Sequence, residues 1–241
     1  GDFKVLDLEK TRGILKLGGT ILGTTNRGTF SSKHGSGEVA KVPDELIEQA
    51  QATLKRLDIE ALFCVGGDGT LTTALQFYES GTPIIGVPKT IDNDLQATAV
   101  TFGFNSAMQT VVDALDRLQT TASSHKRVMV LEVMGRHAGW IALHGGIGGG
   151  ANAILIPEIP YDIESVADFL LERQRRYGKK FSIVAVAEGA KSRTEDEAPG
   201  KKKASSRRST PGEDSFNDDD FHNYKLVKES LASRLARQLQ A

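Results

Sequence analysis

Two short stretches of the sequence combine glycine with charged and polar residues in a pattern suited to chemistry on phosphate. The first is VGGDGTLTTAL, residues 65 to 75, and the second is GVPKTIDNDL, residues 86 to 95. Each lies at the end of an apolar run that predicts a buried strand. Burying an unpaired carboxylate is so costly that acidic residues at such places are paired, metal-bound or directed into a polar cleft. Both stretches are therefore predicted to form parts of a site.

The first stretch predicts a site for a phosphoryl donor. Gly66, Gly67, Asp68 and Gly69 would join a strand to a helix beginning at Thr70, so that backbone N–H groups and the helix dipole face an anion. Asp68 would repel phosphate unless a cation intervened, which predicts that it holds Mg²⁺ directly or through water. A purely structural turn would need one glycine rather than three. The motif alone also suits diacylglycerol and NAD kinases, so the acceptor stays open.

The second stretch predicts the acceptor side of the same site. If the first motif binds a donor, Asp92 and Asp94 lie one strand away, where a hydroxyl acceptor would have to bind. A carboxylate within hydrogen-bonding reach can act as a general base toward that hydroxyl, and Lys89 can offset negative charge on the transferred group. The structural alternative is an ordinary turn built by Asp92, Asn93 and Asp94.

The elements that position these stretches alternate between helix and strand patterns. Apolar residues at helical spacing from Leu46 to Leu57 precede a buried-strand pattern at 59–65. Such alternation predicts an α/β fold with largely parallel sheets covered by helices, whose ligands bind beyond the carboxyl ends of the strands. The remaining helices are predicted at 70–79, 105–119, 138–147 and 162–175, and the remaining strands at 83–87, 127–133, 152–156 and 181–187.

Composition places the chain among ordinary globular proteins. It has 241 residues, of which 39% are hydrophobic and 25% charged. The formal net charge of -1 gives no reason to expect nucleic acid or an anionic membrane as a partner. Cys64 is the single cysteine, which rules out an internal disulfide, and no apolar run approaches the roughly 18 residues of a membrane span. We expect a cytoplasmic protein, and the absence of an initiator Met indicates a fragment.

Two further segments are predicted after residue 190. Residues 191–222 are charged and almost free of large apolar side chains, which predicts a flexible insertion. Its basic run KKKASSRR is flanked by acidic runs, which argues against nucleic-acid binding. Beyond it, apolar residues recur every four positions and predict an amphipathic helix at 223–241.

The motifs GGDGT, PKTIDND, SSHKRVMVLEVMGRHAGW, PEIP and VAVAEG, in this order, resemble those of 6-phosphofructokinases over about residues 12–190. The resemblance implies the phosphofructokinase fold, with two Rossmann-like three-layer αβα domains that are incomplete at both termini. It divides the chain into a partial nucleotide or phosphoryl-donor domain at 1–120 and a sugar-phosphate-binding domain at 121–190. The implied reaction is the glycolytic transfer of phosphate from MgATP to the 1-hydroxyl of fructose 6-phosphate, giving fructose 1,6-bisphosphate.

The resemblance also implies catalytic and donor-binding roles. Asp92 would be the general base, with Arg136 and Lys89 as further catalytic residues. Asp68 would associate with Mg²⁺. The donor would be contacted by Arg27 and by the glycine motif, namely Gly66, Gly67, Asp68, Gly69 and Thr70.

The implied substrate is held in part by a second subunit. Arg127 would reach across a subunit boundary to the 6-phosphate, which implies a homo-oligomer, either a dimer or a tetramer. The residues implied to contact fructose 6-phosphate are Thr90, Asp92, Asp94, Arg127, Met134, Gly135, Arg136 and Glu188.

Two alternatives stay open at this point. Pyrophosphate users of this family usually carry Asp at the position of Gly69, where a carboxylate would repel the α-phosphate of a nucleotide, whereas Lys89 is typical of pyrophosphate users. A carboxylate at position 69 would exclude one donor, whereas a lysine can neutralise phosphate from either, so Gly69 is the stronger indicator and favours ATP. The other alternative is a non-catalytic, phosphofructokinase-like chain that binds nucleotide or regulates a partner. Since the family pattern continues past both ends, we expect the chain alone to be inactive.

Overall fold

The computed structural model describes residues 3–24, 30, 41–96, 98–193 and 230–240. Among these residues, no helix combines the length and apolar character needed to cross a bilayer. A 3₁₀ turn at Ile14–Lys16 precedes the first α-helix. The helices are α1 (Asp44–Arg56), α2 (Asp68–Glu79), α3 (Phe104–His125), α4 (Trp140–Gly148), α5 (Ile163–Tyr177) and α6 (Leu231–Gln240). The strands are β1 (Leu62–Gly66), β2 (Ile84–Thr90), β3 (Phe102–Gly103), β4 (Val128–Val133), β5 (Ala153–Leu155) and β6 (Ser182–Ala187).

The strands form two sheets, with the orders β1-β2-β3 and β4-β6-β5. In the first sheet, β3 pairs in parallel with β2, so that Lys89 lies opposite Phe102 and Thr90 opposite Gly103. In the second sheet, β4 and β5 both pair in parallel with the central strand β6. Parallel pairing brings the carboxyl ends of neighbouring strands to one edge of the sheet.

The chain divides into two compact units, and the first consists of Gly1–Cys64 and Gly69–Gly86. Its core is small and is built from α1, α2 and the residues around them. Val42, Ile47 and Phe77 are buried there, with partly buried apolar side chains packed against them. This core fixes α2, the helix that follows the first glycine motif.

The second unit consists of Val65–Asp68 and Val87–Ala241 and is organised around β6. All residues of β6 are buried, and their side chains alternate between two cores. Ile183 belongs to the core under α3 and α4, whereas Val184 belongs to the core that contains residues of α5 and α6. Because a parallel strand covered by helices on both faces is buried on both sides, its sequence is almost entirely apolar, here IVAVA after Ser182. The second unit is therefore a three-layer α/β arrangement.

The helix α6 is attached to the same sheet by both apolar and polar contacts. Leu231 and Leu235 are buried in the core beside α5. The N–H of Ala232, in the first turn of α6, donates to Oε2 of Glu132 on β4 at 2.8 Å. The carboxylate thus satisfies a backbone donor that a helix start would otherwise leave unpaired. Residues 194–229, and with them most of the predicted insertion and the start of the helix predicted from 223, lie outside the described residues.

The predicted α/β class and parallel sheets are confirmed, but several element boundaries differ. The strand predicted at 59–65 begins at Leu62, because the N–H of Ile59 donates to the carbonyl of Leu54 and closes the end of α1. The helix predicted to end at 119 continues to His125, where Lys126 ends it in a left-handed conformation. The strand β3 was missed, since two residues are too few for an apolar period.

Candidate functional site

The first glycine motif forms the connection from β1 to α2. Gly66 is buried at the end of β1, and α2 begins at Asp68, two residues before the predicted start at Thr70. Gly69 and Thr70 therefore lie in the first turn of the helix. Asp68 is exposed at the positive end of the helix dipole, where a carboxylate stabilises the helix and a bound anion is also favoured.

The end of β1 lies beside the end of β2. A Cβ atom built on Gly67 would be 3.6 Å from Cβ of Thr90 and 3.8 Å from the carbonyl oxygen of Lys89. The two sequence motifs are therefore neighbours in space at this glycine, as expected for adjacent strand ends. A larger side chain than a methyl group at Gly67 would have to displace Thr90.

The second motif forms a closed turn after β2. The N–H of Asp92 donates to Oγ1 of Thr90 at 3.2 Å, and Asn93 adopts a left-handed conformation with φ of 53°. Thr101 closes the turn from the other side, because its Oγ1 donates to the carbonyl of Thr90 at 2.8 Å and its N–H donates to Oδ1 of Asn93 at 2.9 Å. Asp92, Asn93 and Asp94 thus lie in a turn whose local side-chain hydrogen bond comes from Thr90, and Asp94 is exposed there while Asp92 is half-buried.

The loop after β4 carries the predicted residues Met134, Gly135 and Arg136. Met134 and Arg136 are exposed, and Arg136 has a positive φ of 51°, which is rare for a residue with a side chain. The turn is closed by the N–H of Ala138, which donates to the carbonyl of Gly135 at 2.9 Å. Such strained backbone persists only where the surroundings hold it in place.

Glu188 provides that support from the end of β6. Its Oε1 accepts hydrogen bonds from the N–H of Arg136 at 2.9 Å and from the N–H of Gly135 at 3.3 Å. Gly189 allows the close approach, because a Cβ atom there would collide with the carbonyl oxygen of Arg136. A third support is Glu158, whose Oε1 accepts from the N–H of Gly139 at 2.8 Å. The loop is therefore held by carboxylates on its backbone.

Asp92 lies in an environment that raises the pKa of its carboxyl group. Partial burial is the largest cause, followed by repulsion from Asp94, while the Arg136 guanidinium acts in the opposite direction and Glu188 adds further repulsion. These contributions show that Asp92, Asp94, Arg136 and Glu188 share one electrostatic neighbourhood. A carboxylate with a raised pKa is a stronger base than an ordinary aspartate, and this is the property that proton abstraction from a hydroxyl requires.

Arg127, a predicted contact of the sugar phosphate, is not part of this cluster. Arg127 is exposed and precedes β4, so it lies at the amino edge of the sheet, whereas Arg136 and Glu188 follow the carboxyl edge. At about 3.3 Å per residue, the strand separates the two edges by roughly 20 Å. Arg127 therefore cannot join Glu188 at one site within a single chain. Arg27 lies outside the described residues.

Sequence reasoning missed three residues that shape the site, namely Thr101, Glu158 and Gly189. The motifs PEIP and VAVAEG contained Glu158 and Gly189, but nothing in them shows which backbone each residue touches. Thr101 had no signal at all, because a threonine before a short strand is ordinary.

The acidic side chain at the first glycine motif suits Mg²⁺ that is bound together with phosphate. Among the described residues no group of three or more His, Cys, Asp or Glu side chains is arranged to hold a metal ion. Mg²⁺ is typically bound by one or two carboxylates together with substrate phosphates. Asp68, an exposed carboxylate at the positive end of α2, fits that mode of binding.

Comparison with known proteins gives a consistent set of similarities. The family model described as Phosphofructokinase matches residues 1–240. The ATP-dependent 6-phosphofructokinase of Chloroflexus aurantiacus (strain ATCC 29366 / DSM 635 / J-10-fl) is 52% identical over 191 residues, which cover 79% of this chain and 52% of that protein. ATP-dependent 6-phosphofructokinase 2 of Clostridium perfringens is also 52% identical, over a match that covers 79% of this chain and 52% of that protein. The chain thus spans about half the length of the curated relatives it matches.

Solved structures of similar sequence share the architecture. Phosphofructokinase of Pichia pastoris in the T-state superposes with a TM-score of 0.65 at 35% identity, covering 78% of this chain and 21% of that one. A pyrophosphate-dependent phosphofructokinase from Marinobacter aquaeolei superposes with a TM-score of 0.55 at 32% identity, covering 66% of this chain and 43% of that one.

Proposed function

Because the chain belongs to the phosphofructokinase family, we propose that the whole protein transfers the γ-phosphoryl group of MgATP to the 1-hydroxyl of fructose 6-phosphate. The products are fructose 1,6-bisphosphate and MgADP, and the step is part of glycolysis in the cytoplasm. The observation that carries the proposal is Asp92, a half-buried carboxylate of raised pKa beside Arg136 at the carboxyl edge of the sheets.

Asp92 acts as the general base in this reaction. The 1-hydroxyl oxygen forms a bond to the γ-phosphorus, the bond from that phosphorus to the bridging oxygen of ADP breaks, and the hydroxyl proton passes to Asp92. Lys89 and Arg136 offset the negative charge on the transferred group. The partial burial and the neighbouring Asp94, which raise the pKa of Asp92, support its role as proton acceptor.

The sugar phosphate is bound by the two turns that meet around Asp92. Thr90 and Asp94 contribute from the turn after β2, and the main chain and side chain of Arg136 contribute from the loop after β4, together with Met134 and Gly135. Glu188 accepts two backbone N–H groups through Oε1, and a carboxylate has lone pairs for a sugar hydroxyl as well. The predicted division into a donor domain at 1–120 and a sugar-phosphate domain at 121–190 is part of this proposal.

The donor binds at the start of α2. Gly66, Gly67, Gly69 and Thr70 place backbone N–H groups at the positive end of the helix, which favours phosphate. Asp68 would hold Mg²⁺, which supplies charge neutralisation of the phosphates. Two curated relatives are named ATP-dependent, and this naming together with Gly69 supports ATP. Lys89 and the pyrophosphate-dependent enzyme of Marinobacter aquaeolei keep pyrophosphate as the second candidate donor.

The test is a coupled assay of the whole protein with MgATP and with Mg-pyrophosphate at matched fructose 6-phosphate. We expect a higher kcat/KM with ATP, and Asp92→Asn should lower kcat by about 10² to 10⁴ with little change in sugar-phosphate binding. Asp113→Asn, the same chemical change on the exposed side of α3, is the matched control and should keep wild-type kcat. Absence of fructose 6-phosphate phosphorylation with either donor would mean that the chain is non-catalytic.

Donor choice is tested separately at Gly69. A carboxylate there would repel the α-phosphate of a nucleotide and leave pyrophosphate, which lacks that group, much less affected. We therefore expect Gly69→Asp to lower kcat/KM for ATP far more than for pyrophosphate, whereas Gly69→Asn, of similar size, should affect the two donors more evenly. A higher wild-type kcat/KM with pyrophosphate would overturn the assignment of ATP.

A further inference from the structure

We propose that Asn93 and Thr101 are positioning residues that hold Asp92 in its catalytic orientation. The proposal rests on the proposed function, because it concerns the proposed general base. Neither residue belongs to the predicted set of substrate contacts. Both act from within the turn Thr90–Asp94, which connects the end of β2 to the residues before β3.

Thr101 is a buried residue that forms hydrogen bonds with the turn after β2. It is 2% exposed, one of the few buried polar residues among those described. Its hydroxyl donates to the carbonyl of Thr90 at 2.8 Å and its N–H donates to Oδ1 of Asn93 at 2.9 Å. A buried threonine whose donors both point to one turn contributes specifically to the shape of that turn.

Asn93 supplies the complementary half of the contact. Its φ of 53° lies in the left-handed region, which asparagine tolerates better than most residues with a side chain. Its Oδ1 accepts from the Thr101 N–H and lies 3.4 Å from the Thr101 hydroxyl. The side chain is therefore engaged with Thr101, and the left-handed backbone at this position sets the directions of the residues on either side, Asp92 and Asp94.

The two hydrogen bonds of Thr101, to Thr90 and to Asn93, hold the chain on both sides of Asp92. Thr90 is paired with Gly103 in the ladder between β2 and β3, so both the start of the turn and the segment that follows Thr101 are fixed to the sheet. Asp92 lies between the two points where Thr101 contacts the turn, and its own N–H donates to Oγ1 of Thr90 at 3.2 Å. Without the hydrogen bonds of Thr101, the backbone on either side of Asp92 would be less firmly held, and the Asp92 carboxylate could change its orientation.

The first experiment measures activity of the whole enzyme. Thr101→Val removes the hydroxyl with little change of shape, and we expect kcat to fall about 100-fold, since displacing a reacting group by about 1 Å costs that much. Thr101→Ser keeps the hydroxyl and should recover most of kcat. The matched control is Thr82→Val, because Thr82 is also buried, at 6% exposure, and its Oγ1 accepts from Nε2 of Gln51 at 3.0 Å.

A second variant tests the other half of the contact. Asn93→Gly keeps the left-handed backbone accessible but removes the acceptor, so its kcat should fall as in Thr101→Val. Asp58→Gly makes the same kind of change at another left-handed position, with φ of 56°, and should keep wild-type kcat. If Thr101→Val does not fold, Asn93→Gly decides the question.

A third measurement does not depend on activity. Amide hydrogen exchange of the whole protein should be about tenfold faster across residues 90–94 in Thr101→Val than in Thr82→Val. An inactive wild-type enzyme would refute the proposed function, and the exchange result would then decide alone whether Thr101 fixes the turn. The proposal would be overturned if Thr101→Val and Asn93→Gly both kept the wild-type kcat and the wild-type rate of amide exchange. It would also be overturned if Thr82→Val lost as much kcat as Thr101→Val.

Discussion

At Asp92, partial burial and the neighbouring carboxylate of Asp94 disfavour ionisation, whereas the guanidinium of Arg136 favours it. The pKa is raised in the folded chain, so the folded state binds the proton more tightly than the unfolded state does. Stability therefore falls as the pH rises from the ordinary pKa of aspartate through the raised one, and it stays lower above that range. Ionised Asp92 therefore destabilises the folded state.

Asp92→Asn should stabilise the folded state, because it removes the ionisable carboxyl group. We expect a higher melting temperature than wild type at pH values above the raised pKa, and a difference that shrinks as the pH falls below the ordinary pKa of aspartate. Thermal unfolding of both proteins across this pH range measures it. Asp113→Asn should show no comparable gain. A melting temperature of Asp92→Asn below that of wild type at pH values above the raised pKa would contradict the assigned cause of the pKa shift.

At the scale of elements, α5 shows how one side chain secures a helix that covers the second sheet. Asp162 is the N-cap, and its Oδ2 accepts from Oγ of Ser165 at 2.6 Å and from the N–H of Ser165 at 3.1 Å. These hydrogen bonds, the side-chain one first, lower the pKa of Asp162. The cap holds α5, which contributes Leu170 to the core on one face of β6.

Asp162→Ala should destabilise the chain in a pH-dependent way. Since the pKa is lowered on folding, the stabilisation is present above the ordinary pKa of aspartate and disappears as the pH falls through the lowered one. We expect a lower melting temperature than wild type at pH 7 and a difference that vanishes in strong acid. Asp168→Ala, at an exposed position within α5, is the matched control. An equal effect of both substitutions would exclude the cap as the cause.

At the scale of the whole molecule, the position of Arg127 requires a second subunit if this residue binds the sugar phosphate. It precedes β4, whereas the loop of Arg136 follows the same strand. Arg127 of the partner subunit would complete the site in a symmetric oligomer. Each site would then combine Asp92 from one subunit with an arginine from the other.

Subunit mixing tests this arrangement in the whole enzyme. Asp92→Asn and Arg127→Ala should each be nearly inactive alone, but a mixed dimer has one intact site and one doubly altered site. Random reassociation makes half of the dimers mixed, so about a quarter of wild-type activity should return. No recovery after verified exchange of subunits would mean that Arg127 acts within its own chain or outside the site.

The sequence by itself determined the α/β class, the order of the elements other than β3, and the identity of the two motifs at strand ends. These properties depend on residues close together in the chain. Apolar periodicity predicted most helices and strands, and the glycines around Asp68 indicated a sharp connection before a helix. The order of the motifs was enough to indicate the family, but not which side chains are in contact.

Only the tertiary structure decided how these residues work together. Glu188 holds the backbone of Arg136 across 52 residues, and Thr101 holds a turn whose sequence contains no sign of it. The resemblance implies that Arg127 acts across a subunit boundary, and the strand direction places it at the edge of the sheet opposite Arg136. The reason is physical: the contacts depend on strand order and register, which are set by packing both faces of β6 and not by any local pattern.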